Sequence, residues 1–158
     1  MSTLTDEQRA NLDKLATYLE GLPKRYKHFG MGVWITGADG KAIVRYALEN
    51  GGVSSCGAVA CAVGHGPAAG ILVPGSMVTL DCYGPSVDWW NYAEQAFGVC
   101  HDWCFESDWD TIDNHHYGAA ARIRYLLDKG EPPEGFEDPA RKWRKVYAPY
   151  RIDAKVPA

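Results

Sequence analysis

Asp113-Asn114-His115-His116-Tyr117-Gly118-Ala119-Ala120-Ala121-Arg122-Ile123-Arg124-Tyr125-Leu126-Leu127-Asp128-Lys129-Gly130 is the stretch whose reading decides the fold. Ala119, Ala120, Ile123, Leu126 and Leu127 recur at helical spacing and mark one inward face. Asp113 is a favoured N-cap type, and Gly130 ahead of Pro132-Pro133 is a stop signal. The pattern predicts a helix over about 113–129. Its Gly118–Ala121 segment carries almost no side-chain bulk. A second slim helix could therefore approach it more closely than the usual ~8–10 Å between axes.

The expected partner is the segment Cys56-Gly57-Ala58-Val59-Ala60-Cys61-Ala62-Val63-Gly64, capped by Ser54-Ser55. The two small-residue helices are expected to lie side by side at the centre, leaving bulky rings to shape a cavity around them. Farther out, Thr5 caps a first helix with Asp6 and Glu7 in its first turn. Leu12, Leu15, Ala16 and Leu19 form its buried stripe, and Gly21 and Pro23 end it. Ser86 is read as the cap of a third helix carrying Trp89, Trp90, Tyr92, Ala93 and Phe97 and ending at Gly98. Residues 31–36 and 41–47 flank Gly37-Ala38-Asp39-Gly40, a turn signal consistent with a β-hairpin, and the second arm could equally start a helix. The expected fold class is α+β, mainly α, with small-residue central helices and a minor β-hairpin or small sheet. Residues 1–158 are read as a single globular domain, with 136–158 a partly extended tail.

The composition sets bounds on function. The 158 residues are 46% hydrophobic and 23% charged, with a net charge of −4. An acidic balance argues against general nucleic-acid binding. No apolar run reaches the roughly 18 residues needed to span a bilayer. The polar, acidic N-terminus does not read as a secretory signal. Five cysteines form no evident disulfide framework, which points to a reducing, cytoplasmic setting.

Three blocks carry a resemblance: Leu12–Pro23 with Tyr26-Lys27-His28-Phe29 and Met31; Cys56 to Ile71 with its Cys-Gly to His-Gly-Pro run; and Trp103-Cys104-Phe105, Trp109, Asp113-Asn114 and Gly118 to Leu127. Together they resemble a family of short uncharacterised bacterial and phage or prophage proteins, over roughly residues 10–133. The resemblance implies a bacterial or phage cytoplasmic setting. It implies no activity and transfers no functional residue. Members often carry Thr-Pro where this chain has His115-His116.

Several constellations could carry chemistry. Cys56 at a helix start would have a lowered thiol pKa, suiting a nucleophile in a thiol-dependent hydrolase or transferase. The commoner role of such a cysteine is a small buried core residue. Cys61 and His65 sit four apart, as do Cys100 and Cys104, and two such pairs could supply four zinc ligands in a structural site. The acids Asp102, Glu106, Asp108, Asp110 and Asp113 crowd one stretch without the order of a calcium loop. Arg141-Lys142-Trp143-Arg144-Lys145 reads first as a solvated or docking basic run. With Tyr147 and Tyr150 it could instead grip a phosphate-bearing ligand.

The favoured expectation is a non-enzymatic binding protein for a small anionic, nucleotide-like ligand. In a phage it would sequester a host defence signal. The expected contacts are Trp89, Trp90, Trp103 and Trp109 for stacking, with His115, His116 and Arg122 near a helix start that suits an anion. No cofactor is expected. Homo-oligomerisation is left open, as are the thiol-dependent enzyme and the structural zinc domain.

Overall fold

The computed structural model describes residues 3–31, 35–36, 59–73, 77–81, 84–87, 89–98 and 101–155. The first helix, α1, runs Asp6–Gly21. Thr5 caps it reciprocally with Gln8: Gln8 N donates to Thr5 Oγ1 at 3.1 Å, and Thr5 N donates to Gln8 Oε1 at 3.0 Å. Two otherwise orphaned backbone donors are satisfied this way. The expected stripe is the buried one, with Leu12, Leu15, Ala16 and Leu19 all fully enclosed.

Short extended segments follow: β1 (Ile35–Thr36), β2 (Val59–Ala60), β3 (Met77–Asp81) and β4 (Gly84–Val87). They pair two by two, β1 with β2 and β3 with β4, both antiparallel. Then come α2 (Trp89–Phe97), α3 (His101–Phe105), α4 (Trp109–Ile112) and α5 (His116–Lys129). The chain closes with a tight turn at Arg141–Trp143, α6 (Arg144–Tyr147) and further tight turns at Ala148–Tyr150 and Ile152–Lys155.

The centre is the antiparallel pair α1 and α5. Its direction is fixed by polar ties at both ends. Arg9 Nη2 donates to the Leu127 carbonyl at 2.8 Å, and Tyr117 Oη donates to the Leu22 carbonyl at 3.1 Å. Between them Arg124 reaches Glu20 through Nε and Nη2 and also pairs with Asp13. Ala119, Ala120, Ile123 and Leu126 of α5 are buried, as expected. α2 lies on α1 as well, tied by Asn11 Nδ2 to the Ala96 carbonyl at 3.0 Å.

The α+β expectation is corrected: this is a mainly-α fold. The expected hairpin of 31–36 with 41–47 is not seen among the described residues, where Ile35–Thr36 pairs with Val59–Ala60. Residues 41–47 lie outside the described residues. The slim helix expected over 56–64 is also overturned. Val59–Ala60 is extended, and only Val63–His65 makes a tight helical turn. Two glycines and valines at 59 and 63 weaken a helix there. The small face of α5 therefore packs on α1, not on a second slim rod.

Two further details differ from the expectation. Ser86 sits within β4 and does not cap α2, although Gly98 ends that helix with a left-handed φ of 77°. His115, not Asp113, caps α5: its Nδ1 accepts from Tyr117 N at 3.0 Å. The tail folds back as helical turns against α5 and delivers Tyr147 to full burial.

Candidate functional site

The release of Asp113 from capping creates the site. Asp113 ends α4, with its N–H on the Trp109 carbonyl at 2.8 Å. Its side chain lies against the Cα of Gly118, in the first turn of α5. There the protein's own carboxylate meets the positive end of the helix dipole. The external anion expected at this helix start has an internal substitute.

Three side chains converge on that carboxylate. Arg151 Nη1 donates to Oδ1 at 3.0 Å and to Oδ2 at 2.9 Å. Tyr147 Oη donates to Oδ2 at 2.7 Å. Arg122 Nη1 stands 4.0 Å from Oδ2 and donates to Tyr147 Oη at 3.5 Å. The Arg122 guanidinium is fully enclosed, 4.2 Å above the Trp109 ring and 5.4 Å from the Tyr147 ring. Ring faces thus supply much of its compensation. Its Nε and Nη2 have no hydrogen-bond partner. Burial pulls the Arg122 pKa down, while the Tyr147 hydroxyl oxygen and Asp113 push it up. Burial pushes the Tyr147 hydroxyl upward, so it stays a donor.

Outside this knot opens a cavity of about 360 Å³, lined by Asp113, Arg141, Arg144, Lys145, Tyr147, Ala148 and Arg151. Arg141, Arg144 and Lys145 are exposed and make no ion pair among the described residues. The single carboxylate in the wall is already engaged by Arg151 and Tyr147. The cavity therefore carries an excess of positive charge on a chain whose net charge is −4. Arg forks and a Lys ammonium around a concave wall suit phosphate or carboxylate oxygens.

The residues singled out from sequence are dispersed. Trp103 and Trp109 are core rings, 1% and 0% exposed, and both indole N–H groups are satisfied by the carbonyls of Arg122 and Asp102. Trp89 is buried in α2, and Trp90 on the same helix is 63% exposed. His115 caps α5 and reaches the Lys24 carbonyl through Nε2 at 2.9 Å. His116 is buried beside it, with the two rings stacked at 4.3 Å. Of these, Arg122 belongs to the wall's supporting knot, and Trp109 lies beneath its guanidinium.

Among the thiols, Cys56 and Cys100 lie outside the described residues. Cys61 and Cys104 are buried and not in disulfides. Burial pushes the Cys61 thiol up to about 11, which keeps it protonated at neutral pH. Among the described residues no group of three or more His, Cys, Asp and Glu side chains is arranged to hold a metal ion. Of the acids, Asp102, Asp108 and Asp110 are exposed on the surface, and Asp113 is committed to Arg151. No described helix is long and apolar enough to cross a membrane.

The basic run 141–145 is visible in the sequence, but the wall it shares with Asp113 and Arg151 appears only in the fold. Arg151 carried no signal of its own. Comparison with protein-family models, curated proteins and solved structures finds no match.

Proposed function

We propose that this protein binds a small anionic, phosphate-bearing molecule in the basic cavity between the start of α5 and the C-terminal turns, without catalysing its conversion. The observation that carries this reading is the cavity wall itself: Arg141, Arg144, Lys145 and Arg151 face one space of about 360 Å³, with the lone carboxylate already neutralised. That volume suits a nucleotide-sized ligand. Exposed cations give fast, salt-sensitive capture, and the buried Asp113–Tyr147–Arg122 knot holds the wall rigid beneath them.

The ligand's recognised part is its anionic group. Stacking on Trp103 or Trp109 does not belong to this reading, because both rings are enclosed. Tyr147 and Ala148 are the uncharged parts of the wall. Sequestration of a host signal would be one use of such a pocket, and that suggestion comes from the sequence resemblance alone. A thermal-shift screen of pyrophosphate, nucleoside mono- and diphosphates and cyclic dinucleotides, against matching uncharged nucleosides, tests the reading. Stabilisation by phosphate-bearing compounds only, erased by Arg144→Glu, is the expected result. Equal response to the uncharged set, or no response to any compound, counts against it.

A further inference from the structure

The charge of the basic cavity can be resolved group by group. Arg151 is engaged on both edges. Its Nη1 serves the two oxygens of Asp113, and its other edge forks onto Asp153, Nε to Oδ1 at 2.9 Å and Nη2 to Oδ2 at 3.0 Å. Arg122 stands beside the same Asp113. Two guanidiniums thus face two carboxylates, and the knot beneath the cavity is formally neutral. What remains in the wall is Arg141, Arg144 and Lys145, all three exposed.

These three cations come from one run of helical turns, Arg141–Trp143 followed by Arg144–Tyr147. Arg144 and Lys145 lie three and four residues after Arg141, a spacing that makes helical side chains neighbours, about 5–6 Å apart at Cβ. Lys142 belongs to the same run but does not line the cavity, and its ammonium sits 4.9 Å over the Trp143 ring. The wall is also short of acceptors. Arginine and lysine side chains only donate. Asp113 is held by Arg151 and Tyr147, and the Tyr147 hydroxyl is committed to Asp113 and Arg122. Ala148 offers a methyl group. The amino and imino donors of a nucleobase therefore meet no uncommitted side-chain acceptor in the described wall.

Resting on the reading that this cavity receives an anion, we propose that it recognises a condensed phosphate group, a diphosphate or longer, and leaves the organic part of the ligand unread. A diphosphate carries about three negative charges at neutral pH, against about two for a monophosphate and about one for each diester phosphate. The unneutralised cations Arg141, Arg144 and Lys145 match the first of these. An arginine fork can hold two oxygens at once, and the lysine ammonium adds a point charge. Free pyrophosphate and the diphosphate tail of a nucleotide present this same chemistry. Selectivity then comes from the number of linked phosphoryl groups, because the wall has cations for them and no partner for a base.

The test is calorimetric titration of the full chain, in magnesium-free buffer at neutral pH, with pyrophosphate, ADP, UDP, AMP and orthophosphate. AMP and orthophosphate are expected to bind at least about tenfold more weakly than any of the three diphosphates, a gap wider than the spread among those three. Arg144→Gln and Lys145→Gln, both at exposed positions, should each narrow the gap. Lys142→Gln makes the same charge change off the cavity and should leave it unchanged. A spread among pyrophosphate, ADP and UDP as wide as the gap would show that the organic part is read, and overturns the proposal. So does a gap that Lys142→Gln narrows as much as Arg144→Gln does, or one that neither cavity substitution narrows. Each of these outcomes leaves the cavity an anion site. No binding of any of the five at about 100 μM removes the anion site itself, and the proposal with it.

Discussion

Gly118 and Asp113 occupy one place between them: a Cβ on residue 118 would lie 2.2 Å from Asp113 Oδ2 and 2.5 Å from its Cγ. The glycine is the space in which the carboxylate sits. Asp113 is short and is held by Arg151 and Tyr147, so it cannot swing aside cheaply. Gly118→Ala should therefore destabilise by about 1–3 kcal/mol, although alanine is the better helix former. Urea unfolding measures it. A neutral or stabilising result would mean that the carboxylate is not where we place it.

Arg122 makes Asp113 a charge partner as well as a wall residue. Asp113→Asn leaves a fully buried guanidinium without its carboxylate, which should cost about 3–5 kcal/mol. Arg122→Met removes the buried cation together with its two unpartnered nitrogens, and should cost less. Combined, the two should be far less damaging than their separate effects imply. A double-mutant cycle from denaturant curves gives the coupling, and strict additivity would contradict the knot.

The legible parts of the fold were those set by local chemistry. Thr5 with Gln8, the Leu12–Leu19 stripe and the α5 core face could be read because spacing and capping act within one turn. The segment 56–64 misled because small residues permit close packing without demanding it, and Val59–Ala60 found a strand partner in Ile35–Thr36. Asp113 was misassigned because a capping preference is worth only about 1 kcal/mol, less than a buried pairing with Arg151 and Tyr147. The tryptophans suggested a stacking site, yet Trp103 and Trp109 carry out the commoner task of filling the core. The basic wall needed the fold, since Asp113 and Arg151 meet only when the tail returns to α5.

Acid should unfold the protein through His65 and His116. Both have folded pKa values near 4, lowered first by burial, against 6.5 for an ordinary histidine. Between those values the unfolded chain takes up protons that the folded chain does not. Stability is thus undiminished above about pH 6.5 and falls as pH drops toward 4, by on the order of 3 kcal/mol for each ring. Asp153, whose pKa is lowered mainly by its hydrogen bond to Arg151, adds a further loss only at more acid pH. Urea curves at about pH 7.5 and about pH 5 check this. His65→Phe and His116→Phe should each flatten the slope, and a slope unchanged in both would refute the assignment.

The central claim is that the cavity bounded by Arg141, Arg144, Lys145 and Arg151 receives an anion. Isothermal titration of the full chain with a nucleoside diphosphate and with the matching uncharged nucleoside tests it most directly. The account predicts saturable one-to-one binding of the phosphate-bearing compound alone, weakened by added salt and reduced at least about tenfold by Arg144→Glu or Lys145→Glu. Absence of binding at about 100 μM ligand, or binding indifferent to both charge reversals, would contradict it.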